Sequence, residues 1–203
     1  MKAFRAVTVL SMHFILPNIS YNLFRRLHSR SAAQDLIMKR FLTINIIAVG
    51  KKNGVEPWIS LGCSEYEKRI SSHMNLNTIY YKSDYDLLNN MNSFKGKVIA
   101  LDENGVELNS RGFSQYLYKS FEDGGAQVTI IIGGFDGLPT EVRKSYPLLS
   151  LSKLTWTHQF ARLLLLEQIY RSIEIRKGSS YHKDWLYRSS ALKQNICQLV
   201  QIV

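Results

Sequence analysis

The sequence predicts an α/β fold with a mostly parallel sheet flanked by helices. Short β-branched runs alternate with helical segments, the runs are apolar throughout and do not alternate with polar residues, and glycine or Asn-Gly turns follow several of them. The first run, Ile44, Ile46, Ile47, Ala48 and Val49, reads as a buried strand closed by Gly50. Residues 55–70 then place Trp58, Leu61, Tyr66 and Ile70 at mostly helical spacing and leave Glu67, Lys68 and Arg69 to solvent. A second strand is expected over 76–81. After a short segment rich in Asn and Asp, Ser83 to Phe94, a third runs from Lys97 to Leu101 and is stopped by Asp102 and the Asn104-Gly105 turn. Ser110 is expected to cap a helix reaching about Glu122, because its hydroxyl accepts a free backbone N–H, and Gly124-Gly125 ends it. Val128 to Ile132 is the most apolar run and reads as the fourth strand. A glycine turn, a short helix around Glu141 to Lys144, a fifth strand over Pro147 to Leu151 and a long helix from about His158 to Lys177 complete the pattern. In that last helix Phe160, Leu163, Leu164 and Tyr170 share one face and Ala161, Leu165 and Ile169 another. It therefore needs two partners, which are neighbours in its own domain or, the preferred reading, a second subunit.

A chain of 203 residues with 45% hydrophobic and 21% charged residues suits one domain plus tails. The formal net charge of +10 attracts polyanions, either nucleic acid or an anionic membrane surface. No run approaches the roughly 18 apolar residues that a membrane span needs, so no membrane partner is expected. Cys63 and Cys197 are far apart and match no zinc-ligand spacing; a reducing compartment and no metal are expected. Residues 1–40 carry Lys2, Arg5, Arg25, Arg26, Arg30, Lys39 and Arg40 against one acid, Asp35, which is the composition of a transit segment for a mitochondrion or plastid. An upstream start before Met38, or a basic arm, would read the same way, and a bacterial chain would stay in the cytoplasm. The expected organisation is an extension over 1–40, the domain over 41–184 and a C-terminal extension over 185–203.

The segment Thr129 to Gly137 sets three glycines just past a buried strand, where open α/β sheets bind ligands and where glycine lets the backbone approach closely. A dinucleotide fold would show G-x-G-x-x-G and a later acid for the ribose, but this chain has G-G-x-x-G followed by residues 149–154 without an acid. No P-loop motif occurs either. The turn has company: Ala100-Leu101-Asp102-Glu103 before it, then residues 149–158 (LSLSKLTWTH), Glu167-Gln168-x-Tyr170-Arg171 and Gly178-Ser179-Ser180-Tyr181-His182-Lys183. In this order these motifs resemble the RlmH family of ribosomal RNA methyltransferases, from about Thr43 to Lys183.

The resemblance implies a single SPOUT-type domain with a C-terminal trefoil knot, a homodimer with active sites at the interface, and S-adenosylmethionine as cofactor. The activity it implies is methylation of N3 of a pseudouridine in large-subunit ribosomal RNA. By matching positions the cofactor would contact Leu101, Gly133, Leu151, Ser152, Lys153, Leu154, Thr155 and Trp156. Such a pocket fits the chemistry: an adenine ring needs main-chain polar groups and apolar walls, and a sulfonium needs no cationic clamp. Methyl transfer requires the RNA nitrogen to be held in line and to lose its imide proton. His182 is the candidate for that task with Tyr181 beside it, while His158, at a helix start, and Arg162, a candidate for the RNA phosphate or the partner's site, rank second. Glu167 and Arg171 read as an i, i+4 ion pair. Trp156, Tyr181 and Trp185 are candidates for stacking a splayed base. Two features depart from the family pattern, the short 83–94 segment and the extra residues after the Tyr-His pair. Rival readings are a non-catalytic RNA-binding or ribosome-assembly module on the same fold, and a nucleotide-binding oxidoreductase.

Overall fold

The computed structural model describes residues 42–50 and 55–183, so the expectations for 1–40 and 185–203, including Trp185, lie outside it. Five strands, β1 (Thr43–Val49), β2 (Asn75–Tyr81), β3 (Lys97–Glu107), β4 (Gln127–Ile132) and β5 (Leu148–Ser150), form one sheet. Their order is β2-β1-β4-β3-β5 and every pairing is parallel. The connections are α1 (Pro57–Ser71), α2 (Asp84–Asn89) with a 3-10 turn at Met91–Ser93, α3 (Ser110–Asp123) and α4 (Thr140–Ser145), and α5 (His158–Lys177) follows β5.

The continuous apolar runs arise because both faces of the sheet are covered. Strand residues alternate sides, so Ile44, Ile46, Ile99, Val128 and Ile130 pack against Ile59 and Cys63 of α1, Phe113, Leu117 and Phe121 of α3, and Leu165 and Ile169 of α5. On the opposite face Ile47, Val49, Ala100 and Ile131 meet Leu87 of α2, Val142 of α4 and Leu138. The segment 83–94 is short but folded: Ser83 caps α2 by accepting the Asp86 N–H, and Leu87 is fully buried. Cys63 is 1% exposed, and burial pushes the pKa of its thiol up.

Two local expectations change. The third strand does not stop at Leu101. Its pairing with β5 shifts between Leu101 and Val106 and then resumes at Val106 and Glu107, so Asp102 to Gly105 form an irregularity inside the strand. The cap of α3 is Asn109, whose Oδ1 accepts the Gly112 N–H at 2.8 Å, and Ser110 is the first helical residue. Asn109 has the extended backbone that a capping residue needs, one position earlier than the hydroxyl.

Helix α5 runs between α1 and α3, which supply its two apolar faces with partners from the same chain. Thr157 caps its start by accepting the Phe160 N–H, and Gly178 closes its end with an N–H bonded to Glu174 and Ile175 carbonyls. Among the described residues no helix is long and apolar enough to cross a membrane.

Candidate active site

The carboxyl ends of β3, β4 and β5 converge on a cleft of about 330 Å³. Its walls include Leu101, Gly133, Leu151, Ser152, Leu154, Thr155 and Trp156. Every cofactor candidate except Lys153 therefore meets in one place. The Lys153 side chain is 86% exposed and lies 4.0 Å from Glu107, outside the lining.

Gly133 leaves β4 and enters a tight turn in which Gly134 and Gly137 exchange two backbone hydrogen bonds of 3.2 Å. A Cβ on Gly133 would lie 2.4 Å from the Gly137 carbonyl carbon and oxygen. A side chain there collides with the turn itself before it reaches a ligand, which corrects the simpler idea that the glycine only clears space for the cofactor. Gly137, at φ +83°, adopts a conformation that other residues rarely hold. The loop before α5 is held by its own hydroxyls: Ser150 Oγ donates to the Ser152 carbonyl at 2.8 Å, and Ser152 Oγ accepts the Leu154 N–H at 3.0 Å. Thr155 Oγ1 donates to Glu103 Oε2 at 3.0 Å and ties the loop to β3 across the cleft.

The cleft also takes in residues that sequence reasoning did not assign to it, among them Asp102, Glu103, Asp136, Arg143 and Ala161. The Asp102 side chain is 4% exposed and forms a 2.9 Å ion pair with Arg143 of α4. The acids follow visibly after β3, but nothing in the chain pairs Asp102 with a residue 41 positions away. His158, ranked second, lies on the cleft wall at the first turn of α5.

These surroundings allow a test of the cofactor. The volume suits a small-molecule site. Leu101, Leu151, Leu154 and Trp156 offer apolar walls, the glycine turn offers main-chain groups, and Glu103 and Asp136 suit hydroxyls and cationic groups. The guanidinium in the lining, Arg143, is paired through Nε with Asp102. The donor set fits S-adenosylmethionine.

Arg162 is bonded to groups of its own chain. Its side chain is 14% exposed, with Nη2 donating to Glu67 Oε1 at 2.7 Å, Nη1 donating to the Tyr80 hydroxyl, and the guanidinium over the Tyr80 ring. It ties α5 to α1 and β2.

Tyr181 and His182 lie against the second half of α5. The Tyr181 hydroxyl donates to Glu167 Oε1 at 3.1 Å and meets the Tyr66 hydroxyl at 3.4 Å, and its ring packs edge-on against Tyr170. His182 Nδ1 is 3.4 Å from Arg171 Nη1. At 1.5 Å per residue, roughly 20 Å of helix separates Arg171 from His158. The structure thus brings Tyr181 and His182 together but does not bring them to the cleft of their own chain.

Burial, the hydrogen bond shared with Tyr66 and the neighbouring Glu167 carboxylate all raise the Tyr181 pKa. The docked phenol therefore stays protonated while an undocked one ionises above its ordinary value of about 10, so docking of residues 179–183 weakens as pH rises beyond that point. In a spectrophotometric alkaline titration Tyr181 should ionise last, and Tyr181→Phe should remove that late phase. An unchanged curve would contradict the geometry.

The family model described as "Predicted SPOUT methyltransferase" matches residues 42–182. A protein of Protochlamydia amoebophila named "Ribosomal RNA large subunit methyltransferase H" is 42% identical over 142 residues, covering 70% of this chain and 99% of that protein. Proteins of the same name from Dictyoglomus thermophilum and Caldicellulosiruptor bescii are 34% and 37% identical, covering 70% and 69% of this chain and 99% of each relative. With a cleft at the expected strand ends and the motif order intact, the chain belongs to the SPOUT methyltransferase family, in the branch of the ribosomal RNA large subunit methyltransferases H.

Proposed function

We propose that this protein methylates large-subunit ribosomal RNA, placing a methyl group from S-adenosylmethionine on N3 of a pseudouridine. The observation that carries the reading is the cleft where Leu101, Gly133 and the 151–156 loop converge. The names of the relatives support the substrate class.

When bound, the cofactor supplies an electrophilic methyl group on a sulfonium. Leu101, Leu151, Leu154 and Trp156 would hold its apolar parts, and the acids Glu103 and Asp136 favour its positive charge. The Asp102–Arg143 pair fixes α4 against β3, and the Thr155–Glu103 bond holds the loop to β3. This rigidity serves an in-line displacement, in which position supplies much of the rate. Removing the imide proton leaves negative charge on the uracil ring, so a group facing that ring must stabilise it.

Tyr181 and His182 are the proposed groups, and their distance from the cis cleft points to a homodimer in which one copy's pair faces the other's cleft. The exposed Trp58, Leu61 and Trp156 offer an apolar surface for that association. The basic segment 1–40 is proposed to direct the protein to an organelle matrix in a eukaryotic cell.

Calorimetric titration of the full chain should show saturable binding of S-adenosylmethionine and none of NAD. Incubation with ribosomal large subunits and labelled cofactor should then place the label on a pseudouridine. Binding without transfer would leave an RNA-binding module; binding of NAD alone would overturn the reading.

A further inference from the structure

Arg171 is held more tightly than an intrahelical ion pair requires. Its Nε and Nη2 both donate to the Glu167 carboxylate, and its guanidinium lies over the Tyr181 ring, 4.9 Å from the centroid. The same carboxylate accepts from the Tyr181 hydroxyl at 3.1 Å and from Gln168 Nε2 at 2.7 Å. With one edge of the guanidinium spent on Glu167, Nη1 is the nitrogen directed at His182 Nδ1, 3.4 Å away.

A guanidinium has donors and no acceptor and does not lose its proton in proteins. The group facing it must accept. Nδ1 of His182 is therefore the unprotonated nitrogen, and the hydrogen of the neutral ring sits on Nε2. The side chain is partly exposed and lies beyond the end of α5, so Nε2 is the nitrogen left to meet RNA.

We infer that Arg171 is a positioning residue that fixes the Nε2–H tautomer of His182, so that His182 acts on the RNA as a hydrogen-bond donor and not as the base. The inference rests on the methyltransferase reading above. In the step it describes, the imide N3–H gives its proton to solvent water, and Nε2–H hydrogen-bonds the uracil carbonyl oxygen that gathers the negative charge. N3 then forms its bond to the methyl carbon as the sulfur–methyl bond breaks, the electron pair staying on sulfur as a neutral thioether. The Tyr181 hydroxyl takes no part in the proton transfer, because it is bonded to Glu167 and its pKa is raised.

The inference separates two substitutions that a general base would treat alike. Glutamine places an amide N–H near the position of Nε2 but cannot accept the proton. His182→Gln should keep methyl transfer within about tenfold of the unchanged chain, while His182→Ala should lose about 10²–10³-fold, the usual cost of removing an oxyanion donor. Equal losses in the two variants would overturn the donor role. Nitrogen-15 NMR of the full chain without RNA provides an arm independent of activity: His182 should show a protonated Nε2 and a bare Nδ1. In Arg171→Met the two tautomers should mix, and in Arg171→Lys, which retains a donor, the preference should return in part. A proton on Nδ1 in the unchanged chain, or no change in Arg171→Met, would overturn the positioning role. If the unchanged chain transfers no methyl group to ribosomal subunits, the methyltransferase reading itself fails, and that outcome is visible before any variant is made.

Discussion

Gly133→Val is expected to abolish S-adenosylmethionine binding in calorimetry and to lower stability by about 1–3 kcal/mol, the usual cost of forcing extra volume into a packed site. The magnitude follows from the Gly137 carbonyl only 2.4 Å from the position of a new Cβ and the Leu138 nitrogen at 2.8 Å. Both are backbone atoms and cannot swing aside as a side chain would. The turn must open, and it forms one wall of the cleft. Gly134→Ala is the control, because its Cβ would meet a Val49 methyl at 3.3 Å, a neighbour able to yield by a few tenths of an ångström. That variant should retain binding. Normal cofactor affinity in Gly133→Val would show that the turn is not part of the cofactor wall.

Arg162→Met should produce the largest loss of stability among the charged positions, about 2–3 kcal/mol in denaturant unfolding. Breaking a fully buried pair costs roughly 3–5 kcal/mol because the abandoned charge stays desolvated. The Glu67 side chain is 34% exposed, so water recovers part of that. The Tyr80 hydroxyl loses its donor in the same change. For a chain of this size the melting temperature should fall by about 5–10 °C. Combining Arg162→Met with Glu67→Gln should restore part of the loss, since no lone carboxylate then remains. Loss of RNA binding with unchanged stability would return Arg162 to the role of phosphate contact.

The limits of α5 could be read from the chain because Thr157 and Gly178 mark them chemically. The strands could be read because β-branched runs covered on both faces leave a strong local signal. The continuation of β3 past Leu101 could not: the Asn104 N–H does bond Asp102 Oδ1 as a turn would, but Val106 and Glu107 rejoin the sheet only because Leu149 and Ser150 lie beside them. For the site, the motif order located the 151–156 loop as a stretch, and contiguity then swept in Lys153, whose side chain leaves the cleft. Asp102–Arg143 is a tertiary pair with no signature in either segment. Nor does adjacency in sequence reveal that Tyr181 and His182 return to the far half of a long helix.

The burial of Cys63 has a practical consequence. Cys63 belongs to the buried cluster that also holds Ile59 of α1 and Leu165 and Ile169 of α5, shielded from reagents, and its raised pKa suppresses the reactive thiolate. In a chain with Cys197 replaced by serine, a thiol-specific label can reach Cys63 only when those two helices part. The labelling rate then becomes a clock for the opening of the layer that carries both the cleft wall and the Tyr-His segment, and its slowing by bound cofactor would measure how far occupancy at one end of α5 restrains the whole helix.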